Sequence, residues 1–133
     1  MSQDHPIRIL YVEDEALIRI SLDSALRDAG FSLEMASNGD DALGILKDGH
    51  TDIQALITDI NLGRGADGWA IARRARELNP KLPVIYTSGG RSAEWFSRGV
   101  PLSLMIEKAY ASSQVIVGLA SLLNGPSLTP ALA

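Results

Sequence analysis

A chain of 133 residues is about one ordinary domain, with room for a single core and none for a second. Hydrophobic residues at 46% and charged residues at 21% give a globular profile, and a net charge of −4 lacks the basic field that a nucleic-acid backbone requires. The absence of cysteine removes a disulfide framework, a thiolate metal site and a cysteine nucleophile together.

No apolar run reaches the length of a membrane span. The start, "MSQDHPIRIL", lacks the cationic end and cleavage site of a signal peptide, so a cytoplasmic location is expected. Residues 1–6 read as a lead, 7–124 as the domain and 125–133 as a loose tail.

Along the chain, short apolar runs alternate with stretches of helical spacing. "IRILYV" (7–12) predicts a strand. Ile18, Leu22, Ala25, Leu26 and Ala29 then fall on one face of a helix that Gly30 should end. "FSLEMA" (31–36) alternates apolar and polar. Asn38 is a cap for a second helix, with Ala42, Ile45 and Leu46 on its inner face and Gly49 at its end. "IQALIT" (53–58) is the third strand. A Gly-rich loop leads to a third helix with Gly68, Ile71, Ala72, Ala75 and Leu78 inward and Arg73, Arg74 and Arg76 on its wet face. "PVIYTS" (83–88) is the fourth strand. A short helical stretch over 92–98 leads to the fifth, "LSLMIE" (102–107), and Ser112 is expected to cap a last helix carrying Ile116, Leu119, Ala120 and Leu123.

Strand and helix alternating five times predict a five-stranded parallel sheet with helices on both faces. The first, third and fourth strands are nearly continuous apolar runs, interrupted by Arg8 and Gln54, and should be central; the second and fifth alternate and should be edges. With right-handed crossovers the order is 2-1-3-4-5.

That order puts Glu13 and Asp14, Asp59, Ser88 and Lys108 at the carboxyl ends of strands one, three, four and five, where an open parallel sheet forms its ligand crevice. Three converging carboxylates repel unless a cation stands among them, and oxygen ligands of this kind suit Mg²⁺. Asp59 is then the best-placed nucleophile, with an aspartyl phosphate as a covalent outcome and Lys108 and Ser88 on the phosphoryl oxygens. Each residue alone has a plainer reading: Asp14 as a helix cap, Asp59 as a loop residue, Ser88 as a turn and Lys108 as a solvated side chain. Their coincidence at four strand ends favours the site.

Together "VEDE", "LITDINL", "PVIYTSG" and "IEK" resemble the receiver domain of two-component response regulators over about residues 7–123. The resemblance implies a flavodoxin-like fold of the chemotaxis-receiver kind. It implies Asp59 as phosphoacceptor, Glu13 and Asp14 as the acidic metal pair, Asn61 as the lender of a carbonyl to Mg²⁺, Ser88 as the switch hydroxyl and Lys108 as the phosphate-pairing lysine. Counted from Pro83, Ser88 rather than Thr87 takes the hydroxyl position.

Four departures stand out. Ala109 replaces the family's proline after the lysine, which predicts a trans turn and a displaced Lys108. Met105 stands where an aromatic switch residue is usual. The loop "NLGRGADG" is longer than usual, and "AEWFSRGVP" predicts a shortened fourth helix.

The expected function is a stand-alone receiver, phosphorylated on Asp59 by a histidine kinase or phosphotransfer protein with Mg²⁺. It would be no conventional enzyme but would catalyse its own phosphorylation and dephosphorylation, and would signal by protein contacts. Those contacts would lie on the fourth helix, fifth strand and fifth helix, or on the first helix, with Trp95 and Phe96 either exposed contacts or core. The alternative is a degenerate receiver that binds a partner without phosphorylation. A phosphatase would want a second acid where Asn61 stands, and a flavin site would want hydroxyls where "VEDEAL" is acidic.

Overall fold

Apolar runs of four to six residues cannot be covered alone, and here they pair side by side. The computed structural model describes residues 6–124. In it β1 (Arg8–Val12), β2 (Ser32–Ala36), β3 (Ala55–Asp59), β4 (Val84–Ser88) and β5 (Ser103–Glu107) form one sheet in the order β2-β1-β3-β4-β5, every pairing parallel. This is the expected sheet with the expected edges. β3 and β4 are buried at every position, whereas β2 and β5 are mostly half-buried, which is why only the edge strands alternate in sequence.

The two polar interruptions meet at the sheet's amino-terminal rim. The Arg8 backbone N–H donates to Gln54 Oε1 at 3.2 Å, and the Arg8 guanidinium pairs with Glu34 on β2. Both side chains therefore find partners without entering the core.

Four helices connect the strands, α1 (Ala16–Asp28), α2 (Gly39–Gly49), α3 (Gly68–Leu78) and α4 (Trp95–Arg98), and α5 (Ser112–Leu123) follows the last strand. Short 3₁₀ turns occupy His50–Asp52 and Ser92–Glu94, so the fourth helix is shortened as expected. Alternate side chains of β1 serve opposite faces. Leu10 and Val12 pack with Leu56, Ile71 and Tyr86 on the α2–α3 side; Ile9 and Tyr11 pack with Leu22, Leu26 and Leu119 on the α1–α5 side.

The helix ends follow their residues, with two exceptions. Gly30 takes φ +99° just past α1, and Asn38 Oδ1 accepts the Asp41 N–H at 2.8 Å ahead of α2, both as expected. Ser112, expected as a cap, is instead the first residue of α5. Ala111 precedes it, and Gln114 Oε1 accepts the Ala111 N–H at 2.8 Å, so the reciprocal half of a capping box does the work without a hydroxyl. Arg76 is the second exception, since it is not on the wet face with Arg73 and Arg74. Its guanidinium donates to the Leu82 carbonyl at 2.7 Å and the Leu102 carbonyl at 3.1 Å, bracing α3 against the segments that enter β4 and β5. The expected lead (1–5 of it) and tail lie outside the described residues.

Behind the carboxyl end of β3, the first residue of α3 makes a close approach. A Cβ on Gly68 would stand 2.3 Å from the Asp59 carbonyl oxygen, and the Gly68 N–H donates to the Ile60 carbonyl at 2.9 Å. Asp67 Oδ1 caps the helix by accepting the Ala70 N–H at 2.9 Å. Gly68→Ala is therefore expected to destabilise the protein by about 1–3 kcal/mol, as overpacking does, and to displace Asp59. A urea midpoint equal to that of the parent protein would contradict this packing.

Candidate functional site

Glu13 leaves β1 with its backbone N–H on the Ala36 carbonyl of β2 at 3.1 Å, and Arg19 of α1 donates to the Glu13 carbonyl at 2.8 Å. Glu13 is fully buried, Asp59 is 4% exposed and Asp14 is exposed, yet one carboxylate oxygen from each lies within 4.8 Å of the others. The three acids do converge.

Lys108 stands among them. Its Nζ is 3.0 Å from Asp59 Oδ2, 3.3 Å from Glu13 Oε2 and 3.5 Å from Glu15 Oε1. The expected trans turn and displaced lysine are corrected: the Lys108–Ala109 peptide is cis, and the Lys108 N–H donates to the Ser88 carbonyl at 2.9 Å. That bond ties the end of β5 to the end of β4, while the ammonium is drawn to two buried carboxylates.

One positive charge does not satisfy this cluster. Burial, followed by the neighbouring Asp59 carboxylate, pushes Glu13 up to about 7, against the Glu15 N–H and Lys108, which pull it down. Asp59 is raised as well, chiefly by burial, with Lys108 opposing and Asp14 adding to the shift. Lys108 lies above the usual lysine value, because the hydrogen bond and charge of Asp59 and the charge of Glu13 outweigh its own burial. Glu13 Oε1 is buried with no hydrogen-bond partner. An orphaned carboxylate oxygen beside two further acids fits a hard divalent cation, which takes oxygen ligands and keeps several waters.

Ser88 ends β4 and is 1% exposed; its Oγ accepts the Gly90 N–H at 3.2 Å and the Arg91 N–H at 2.7 Å. Thr87, one residue earlier, is buried with a hydroxyl that has no partner. Asn61 follows β3 in an exposed position, and its Oδ1 accepts from Arg91 Nη1 at 2.7 Å. Gly63 and Gly65, at φ +73° and +87°, supply the turns that the loop after Asn61 requires.

Met105, at the position where the resemblance implies an aromatic ring, is half-buried against the α2–α3 core. The two aromatics of the fourth helix part company. Trp95 packs on that core with its Nε1 donating to Ser103 Oγ at 2.9 Å, while Phe96 is 94% exposed. Sequence reasoning missed Glu15 and Arg91: Glu15 was legible as a third acid in "EDE", but nothing in the chain announced that Arg91 would reach Asn61.

Comparison with known proteins agrees with this fold. The model of the response regulator receiver domain matches residues 9–114. A response regulator receiver protein from Sinorhizobium medicae WSM419 superposes with a TM-score of 0.86 at 41% identity, covering 90% of this chain and 95% of that one. A putative response regulator from Chloroflexus aurantiacus gives 0.77 at 26% identity, covering 90% and 98%. Among curated proteins, the sensor histidine kinase RcsC of Escherichia coli is 33% identical over 71% of this chain and 10% of its own length. The response regulator MprA of a Mycobacterium species is 27% identical over 92% and 53%. This chain thus spans from a tenth to about half the length of those curated relatives.

The raised Glu13 has a consequence for stability. Its folded value of about 7 lies above its ordinary 4.5, so the protonated group is favoured in the folded protein. The stability present at low pH is lost as pH rises from about 4.5 through about 7. With divalent metal chelated, the urea midpoint is expected to fall across that window, and Glu13→Gln to flatten the fall. A midpoint rising over the same window would show that Glu13 is not destabilised by its surroundings.

Proposed function

This chain belongs to the receiver-domain family of two-component response regulators, and from that premise we propose that Asp59 accepts a phosphoryl group from a histidine kinase or phosphotransfer protein. The observation that carries the reading is the Asp59 carboxylate held at 3.0 Å by Lys108, with Glu13 and Asp14 gathered beside it. Receiver domains bind Mg²⁺ at an acidic pocket, and here Glu13, Asp14 and Asp59, with the Asn61 carbonyl, are the proposed ligands. When bound, the ion would neutralise phosphoryl oxygens and the acids themselves.

In the proposed transfer, one Asp59 oxygen keeps Lys108 and the other attacks phosphorus. The P–N bond to the donor imidazole breaks, its electron pair stays on the departing nitrogen, and that nitrogen takes a proton from solvent. Lys108 would follow the new negative charge, and the Ser88 hydroxyl would donate to a phosphoryl oxygen. Water attacking the same phosphorus returns the carboxylate, so the domain would take part in both its own loading and its own reset. A degenerate, phosphorylation-independent receiver has less support, because Lys108 stays within reach of Asp59 although alanine follows it.

Output would run through protein partners rather than nucleic acid, in keeping with the net charge of −4. Exposed apolar side chains mark the surfaces for it: Leu17 and Ile20 on α1 at 83% and 63%, Phe96 on α4 and Val117 on α5 at 94% and 68%. No helix among the described residues is long and apolar enough to cross a membrane. We place the exchange in the cytoplasm.

Incubation with Mg²⁺ and phosphoramidate or acetyl phosphate is expected to add the mass of one phosphoryl group. Asp59→Asn and chelation of the metal should each abolish the adduct, and Lys108→Ala should slow loading at least about ten-fold, as loss of a charge-stabilising contact does. A folded protein that gains no mass from any small donor would reject the reading in favour of the degenerate one.

A further inference from the structure

We propose that Arg91 is a positioning residue: it ties the loop after β3 to the loop after β4 across the open side of the site, and so limits how fast small donors and water reach Asp59. The proposal rests on the phosphotransfer reading and adds a residue that neither the motifs nor the family's acids include.

Arg91 bonds to one residue after β3 and to the last residue of β4. Its backbone N–H donates to Ser88 Oγ at 2.7 Å, and its Nη1 donates to Asn61 Oδ1, also at 2.7 Å. Its remaining edge is taken by Glu94, with Nε and Nη2 on the two carboxylate oxygens at 2.8 and 3.0 Å. A forked pair of this kind fixes the guanidinium plane, which leaves Nη1 as the corner directed to Asn61. The side chain is 28% exposed, so it lies at the surface rather than in the core.

A second tie runs from the loop after β3 to α4. Glu94 Oε1 also lies 3.4 Å from Arg98 Nη1, and Arg98 Nη2 lies 3.9 Å from Asp67 Oδ2, the cap of α3. A single exposed ion pair orders little, but here two cross-loop links share Glu94, so the ordering of that side chain serves both. Arg98 is further placed by the Trp69 ring, 5.7 Å from its centroid. Asn61 and Ser88 are thereby held at one guanidinium-bearing residue, thirty positions from the first and three from the second.

The test uses the full chain loaded with phosphoramidate and Mg²⁺, then freed of donor, with loading and loss of the phosphoryl group followed by intact mass. Arg91→Ala is expected to raise both rates by about three- to ten-fold, the scale of one ordinary net hydrogen bond, with an unchanged urea midpoint. Arg91→Lys, which cannot form the fork, should resemble Arg91→Ala, and Glu94→Gln should act in the same direction. Since Arg91 is argued to act through Asn61, Arg91→Ala combined with Asn61→Ala should be no faster than Asn61→Ala alone. Normal loading of the parent protein with unchanged rates in Arg91→Ala, or slower loading, or additive effects in the double variant, would each overturn the proposal while leaving phosphotransfer intact. A parent protein that takes no phosphoryl group would overturn both.

Discussion

Two buried carboxylates on neighbouring strand ends, Glu13 and Asp59, share one ammonium, and much of the structure serves that arrangement. Like charges brought out of water repel strongly, and a single lysine only partly offsets the cost. Both acids consequently sit above their ordinary values, Glu13 at about 7. The fold keeps them there because they are fixed by backbone: Glu13 by its N–H on β2, and Asp59 as the last residue of the fully buried β3. A cation placed among these carboxylates would relieve that repulsion.

The surrounding sheet makes such placement cheap in chain length. In a parallel sheet every strand delivers its end to the same edge, so residues from positions 13, 59, 88 and 108 meet without long excursions. Close contacts then remove slack. Gly68 lets α3 seat against the Asp59 carbonyl, and the Lys108 N–H on the Ser88 carbonyl fixes where the lysine departs from β5.

How much of this was legible follows from what each feature depends on. The sheet order was readable because burial on two faces erases alternation and burial on one face preserves it, a local imprint of a global position. The site acids and Lys108 were readable for the same reason, as polar residues where apolar strands end. What was not readable depended on partners distant in sequence. Ala109 suggested a displaced lysine, yet Lys108 answers to Asp59, 49 residues away. Arg76 looked like one of three wet arginines until two carbonyls from other segments claimed it. Ser112 was a better cap by residue type than Ala111, but Gln114 supplied the acceptor from inside the helix. Trp95 and Phe96 are adjacent and alike in the chain, and a four-residue helix gives no periodicity to sort them.

Met105 puts a flexible side chain where the resemblance implies an aromatic ring. A ring has two well-separated positions and can record a change in hydroxyl orientation by moving between them, whereas methionine is flexible and fills whatever space it is given. Met105 packs against the core and offers no such two-position element. The polar connections leading outward from Ser88 run instead through the N–H groups of Gly90 and Arg91, then through the guanidinium to Asn61 and Glu94, and on to Arg98 and Asp67. Ser88 Oγ accepts both backbone N–H groups with its lone pairs, which fixes the oxygen while leaving its own hydroxyl proton to donate elsewhere. These connections are hydrogen bonds and ion pairs at the surface, and their strength should depend on ionic strength in a way that buried contacts would not.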